Sequence, residues 1–141
     1  MKYNTKVSLL RTVLLVKVAA CLFLWGLPML IGPSALFEFL GLAMPKDTEY
    51  LRTFGAVVTA LGFLYWFVYK DPVKNVAIVK YAIIDNGLAA LTLGVLFFTG
   101  KGNWMFTMSA VFALFVFIAF ILLFPGENAV QAQYKKNEPT E

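Results

Sequence analysis

The sequence contains no histidine and a single cysteine, Cys21. One thiol cannot close an intramolecular disulfide, and a Cys/His zinc site or a histidine-ligated haem finds no ligand set here. Histidine is equally missing as a general base. No glycine-rich phosphate loop, metal-ligand helix or paired-carboxylate motif occurs, so no catalytic residue, metal site or cofactor is expected. Charge is scarce too: 14% of residues are charged, against about 25% in soluble domains. The net charge of +4 is small. Its basic residues read as signals of membrane orientation rather than as a nucleic-acid patch.

Apolar residues fill the space that charge leaves. They make up 60% of the 141 residues, and the mean hydropathy is +0.76. A water-soluble core of this size could not hide that surface, so a lipid bilayer is the expected solvent. Four apolar stretches are long enough to cross it, at about 12–31, 53–69, 76–99 and 103–124. Backbone groups in hydrocarbon must be satisfied within their own segment, which predicts helices. The dyad alternation of a membrane barrel is absent. The expected fold is all-α: an integral membrane, antiparallel four-helix bundle over residues 1–126. A polar, flexible cytoplasmic tail is expected over 127–141.

The connections carry proline, glycine and charge. K-D-P-V-K-N (70–75) joins the second and third spans, and T-G-K-G-N (99–103) joins the third and fourth. The longest connection, 32–50, runs between prolines and holds Leu36, Phe37, Phe39, Leu40 and Leu42. It predicts a short amphipathic helix at the membrane interface, with Glu38 on its polar side. A partly buried loop is the alternative. With the N-terminus inside, the inner side receives Lys2, Lys6, Arg11, Lys17, Lys70, Lys74, Lys80, Lys135 and Lys136, and the outer side Lys46, Arg52 and Lys101. Nine basic residues against three place both termini in the cytoplasm. Tyr65, Trp66 and Tyr69 at one end of the second span, with Tyr81 opposite, resemble an interfacial aromatic belt. V-A-A-C (18–21) fits the pattern before a lipid-modified cysteine. Lys17 splits the apolar run before it, however, and the run continues hydrophobic afterwards, so Cys21 reads as a small packing residue.

Asp85 is the one acidic residue set deep in a span. On a helix it shares a stripe with Ala82, Ala89 and Thr92, while Asn86, Ala90 and Gly94 line the next stripe. Small residues allow close helix approach, which makes this the inward side. If the first and third spans enter from the same face near Thr12 and Val79, Lys17 and Asp85 both lie roughly 8–9 Å below it. A Lys17–Asp85 pair is therefore expected, with Asn86 or Thr92 taking the remaining carboxylate lone pairs. Lys17 snorkelling to the headgroups is the competing reading. Arg52 heads a stripe with Gly55, Thr59 and Gly62 and is expected to reach Glu38 or Glu49. Gly26 and Pro28 predict a kink in the first span beside it.

The layout of a first span, a proline, F-E-F-L-G-L, the arginine-headed L-R-T-F-G-A-V-V-T-A-L-G and a D-P turn resembles small four-helix bacterial membrane proteins of the DoxX-like kind, across about residues 8–125. That resemblance implies a four-helix antiparallel bundle in the inner (plasma) membrane. Some relatives of that kind are quinone-linked redox subunits, whereas this sequence has no cysteine pair and no histidine. Three functions compete. A non-enzymatic accessory or interaction subunit comes first, with a membrane-protein partner or a second copy of the chain. Next is a binder of a small lipophilic ligand (lipid, sterol-like molecule or quinone) at a polar cluster of Asp85, Lys17, Asn86, Thr92, Arg52 and Glu38. A small transporter or proton pathway using Asp85 comes last, because no second deep acid continues a path.

Overall fold

The computed structural model describes residues 3–126. The expected tail at 127–141, and with it Lys135 and Lys136, lies outside the described residues, as does Lys2. The first span begins earlier than hydropathy alone suggests. It runs as α1 (Tyr3–Ala19), a π-helical segment (Ala20–Gly26) and α2 (Leu27–Ile31). Nothing before Gly26 interrupts a helix, so the basic first turns are helical as well. A short helix α3 (Ser34–Phe39) precedes α4 (Glu49–Lys70), α5 (Val76–Phe98) and α6 (Trp104–Leu123). No strand occurs among the described residues. Four of these helical runs are long and apolar enough to cross a membrane, so the protein is a multi-pass membrane protein.

The punctuation between helices has identifiable chemistry. Gly100 takes φ +70°, which an L side chain adopts only with strain. Its amide bonds Phe97 O at 3.1 Å while the Lys101 amide bonds Leu96 O at 3.0 Å, a Schellman stop for α5. Asn103 then opens α6 by accepting from the Phe106 amide at 3.0 Å. In F-E-F-L-G-L the same device recurs: Gly41 at φ +67° lets the Gly41 and Leu42 amides cap Glu38 O and Phe37 O. The 71–75 turn is held by Asp71, whose Oδ1 accepts from the Lys74 amide at 3.1 Å. Its carbonyl accepts from the Asn75 side chain at 2.8 Å.

At the W-G-L-P site the first span widens instead of simply bending. The Leu27 amide reaches back five residues to Leu22 O. Pro28 has no amide to offer the preceding turn, so that turn relaxes to the wider π spacing.

Lipid tails are as apolar as leucine, so helices here associate through close packing rather than through water exclusion. Glycines supply it where α4 meets the first span. A Cβ at Gly55 would lie 2.5 Å from the Leu30 amide nitrogen, and one at Gly62 would lie 2.7 Å from the Leu22 side chain. The core joins Leu10, Leu14, Val18 and Cys21 of the first span to Tyr65 and Val68 of α4. Val79 and Ala82 of α5, with Val116 and Phe120 of α6, complete it. Along the sequence α5 packs closely on α6, and the first span packs on α4 and touches α6. Although only 71–75 separates them, α4 and α5 meet sparsely.

Candidate functional site

Four polar side chains from three helices converge where that sparse contact begins. Lys17 comes from the last turn of α1, Tyr65 from α4, and Asp85 and Asn86 from α5. Lys17 Nζ donates to Asn86 Oδ1 at 2.8 Å and stands 3.5 Å from Asp85 Oδ2. The Tyr65 hydroxyl donates to the same Asp85 oxygen at 2.7 Å. The ammonium also lies 5.5 Å from the Tyr65 ring centroid, within range of a cation–π attraction. Asn86 is fully buried and donates through Nδ2 to Ala82 O at 2.7 Å. Together these contacts compensate two charges that an apolar setting would otherwise expel.

One side of this cluster remains open. Lys17 and Asp85 line an apolar cleft of about 470 Å³ bounded by the first span, α4, α5 and α6. Asp85 keeps 22% of its side-chain surface and Lys17 keeps 12%. Both polar contacts to Asp85 fall on Oδ2. Among the described residues nothing bonds Oδ1, and no buried side-chain nitrogen or oxygen lacks a partner, so Oδ1 is an accessible acceptor. Lys17 carries three N–H donors, of which Asn86 engages one, while Asp85 faces the ammonium as an ion pair. The walls are Val57, Leu61, Leu88 and Phe112, with Trp25 on the first-span side. The cleft follows the seam where α4 and α5 part.

The remaining sequence candidates sit elsewhere. Thr92 lines the same cleft but lies two helical turns past Asp85, roughly 10 Å along the axis, so it does not fill a carboxylate lone pair. Among the described residues no ion pair joins Arg52 to Glu38 or Glu49. Arg52 instead donates to Met29 O at 3.1 Å and Gly32 O at 2.8 Å. It neutralises the orphan carbonyls at the end of the first span, where the helix dipole favours a cation. Glu38 is exposed on α3. Tyr65 is the residue that sequence reasoning placed in an aromatic belt rather than in the site. Its signal was available: it continues the Gly55, Thr59, Gly62 stripe by three residues and is fully buried.

Chemically, the arrangement offers one charge pair with a free acceptor and a free donor at the end of an apolar cleft. That suits recognition of an amphipathic molecule. Among the described residues no cluster of His, Cys, Asp or Glu could hold a metal ion. Comparison with protein-family models, curated proteins and solved structures finds no match to this chain.

Proposed function

We propose that the protein binds a small lipophilic molecule in the cleft beside Lys17 and Asp85. The observation that carries this reading is the unsealed state of the charge pair. A pair serving only to hold helices together would have its polar atoms enclosed, whereas Asp85 keeps 22% of its side-chain surface and lines a cleft of about 470 Å³. That volume falls in the range of about 300–1,000 Å³ common to small-molecule pockets. The setting we propose is an antiparallel four-helix bundle in the inner membrane, with α3 at the outer interface and both termini cytoplasmic. The nine-to-three distribution of basic residues and the likeness of the layout to DoxX-like proteins support it.

Purification of the tagged protein in mild detergent, followed by mass spectrometry of the co-purified lipid fraction, tests the proposal. A defined lipophile should accompany the wild type in stoichiometric amount and be depleted from Asp85→Asn. Recovery of only the bulk phospholipid profile in both proteins would refute it.

A further inference from the structure

We infer that the occupant of the cleft is an uncharged lipid alcohol, its hydroxyl donating to Asp85 Oδ1 and accepting from Lys17 Nζ. This rests on the reading of the cleft as a ligand site and specifies the head that the site selects. The donors and acceptors that the charge pair leaves open select that head. Asp85 Oδ2 already faces Lys17 at 3.5 Å and accepts from Tyr65 at 2.7 Å, so Oδ1 is the carboxylate oxygen left open to a ligand. Lys17 donates to Asn86 at 2.8 Å and faces Asp85 across 3.5 Å as an ion pair, so the ammonium keeps donor capacity for a ligand. A hydroxyl is the smallest group that satisfies both at once, because it donates and accepts through the same oxygen.

Other heads meet one half of the site badly. A fatty acid would set a second carboxylate beside Asp85, and like charges at that range repel. An amine would set a second cation beside Lys17. A quinone or ester head offers acceptors only, leaving Asp85 Oδ1 facing an oxygen with no proton between them. The pair is neutral as a whole, so no ionic head gains a net counter-charge. The rest of the cleft suits an aliphatic or polycyclic body. Its walls are Val57, Leu61, Leu88 and Phe112, and α4 and α5 part along it. Exposed Val57 and Leu88 flank that seam and let a chain continue into surrounding hydrocarbon.

Trp25 on the cleft wall provides the readout. In a Trp66→Phe, Trp104→Phe protein it is the sole tryptophan, and both replaced residues are exposed. Four probes with one dibrominated C18 chain are titrated in detergent: stearyl alcohol, stearic acid, stearylamine and methyl stearate. Bromine quenches a tryptophan it touches. The alcohol should quench Trp25 at a concentration at least about tenfold below the other three, the scale of one forfeited hydrogen bond to a charged group. In Asp85→Asn the cation is unopposed and preference should pass to the acid. Equal quenching by all four heads would overturn the head assignment while leaving the cleft a lipophile site. First place for the acid, amine or ester, or an alcohol preference unchanged in Asp85→Asn, would overturn it as well. No quenching by any chain would remove the ligand site itself.

Discussion

Replacing Lys17 with methionine keeps the apolar stem and deletes the ammonium that faces Asp85 at 3.5 Å. Asp85 then retains only the Tyr65 hydroxyl at 2.7 Å, and Asn86 Oδ1 loses its donor at 2.8 Å. Removing one member of a fully buried pair costs about 3–5 kcal/mol. Here the side chains stay 12% and 22% accessible and Tyr65 remains, so a loss of about 2–3 kcal/mol is expected. Asp85→Asn keeps an acceptor for Tyr65 but strands Lys17 on Asn86, and should cost about 1–2 kcal/mol. The double variant contains neither charge, so it should be about 1–2 kcal/mol more stable than the two losses summed. That coupling exceeds the average of about 0.6 kcal/mol for interhelical hydrogen bonds in membranes, which would identify charge as its source. Reversible unfolding in mixed micelles, followed by circular dichroism and tryptophan fluorescence, gives all four corners of the cycle. A lysine that merely snorkels would make Lys17→Met neutral or stabilising. That result, or losses that add within about 0.5 kcal/mol, would refute the reasoning.

Packing and polar caps give further checks. Gly55→Ala should lower stability by more than about 2 kcal/mol or abolish folding, because its Cβ would meet the backbone of Leu30 at 2.5 Å. Gly94→Ala, with nothing within 4 Å of the new methyl, should leave the unfolding midpoint unchanged or slightly raised. Arg52→Lys should cost about 1–2 kcal/mol in the same assay, since an ammonium cannot span the carbonyls of Met29 and Gly32 as the guanidinium does. For orientation, Lys101→Cys should react with a membrane-impermeant maleimide in intact cells, the native Cys21 being buried and silent. Protection until lysis would reverse the proposed topology.

Much of the fold was legible because membrane helices announce themselves locally. Continuous apolar runs give the spans, and Gly41, Gly100 and Asn103 stop or start helices through their own backbone or side-chain chemistry. The Lys17–Asp85 approach was legible for another reason: helix rise is constant, so residues equally deep on two helices can be matched by counting. Tyr65 escaped that count because it lies only five residues from the end of α4, shallower than Asp85. Side chains lean toward the N-terminus of their own helix, so on two helices joined by a short turn they lean past each other, and the long phenol closes the gap. Arg52 is matched in the sequence to Glu38 or Glu49, because helix-end carbonyls carry no letter in a sequence. The cleft was the least legible feature. A short turn suggests close neighbours, yet how far α4 and α5 splay depends on what α6 and the first span do around them. In the reading proposed above, that splay is the reason for setting ligand binding before the accessory-subunit role that the sequence alone ranks first.

The π-helical segment also sets a phase between two halves of the protein. Buried positions on the first span fall at Leu10, Leu14, Val18 and Cys21, and the next step, to Gly26, is five residues. Deleting one residue within 20–26 would convert the wide turn to an ordinary one and leave backbone hydrogen bonding intact. The wide turn takes five residues where an ordinary one takes about four, so everything beyond it would keep its phase relative to everything before it. A deletion in the ordinary helix on either side has no such slack and would rotate one half by about 100°, so that either Lys17 would swing away from Asp85 or the Met29 carbonyl would leave Arg52. The wide turn is thus the one place where the first span has a residue to spare: a single-residue deletion within 22–25 should be tolerated where the same deletion within 10–18 is not.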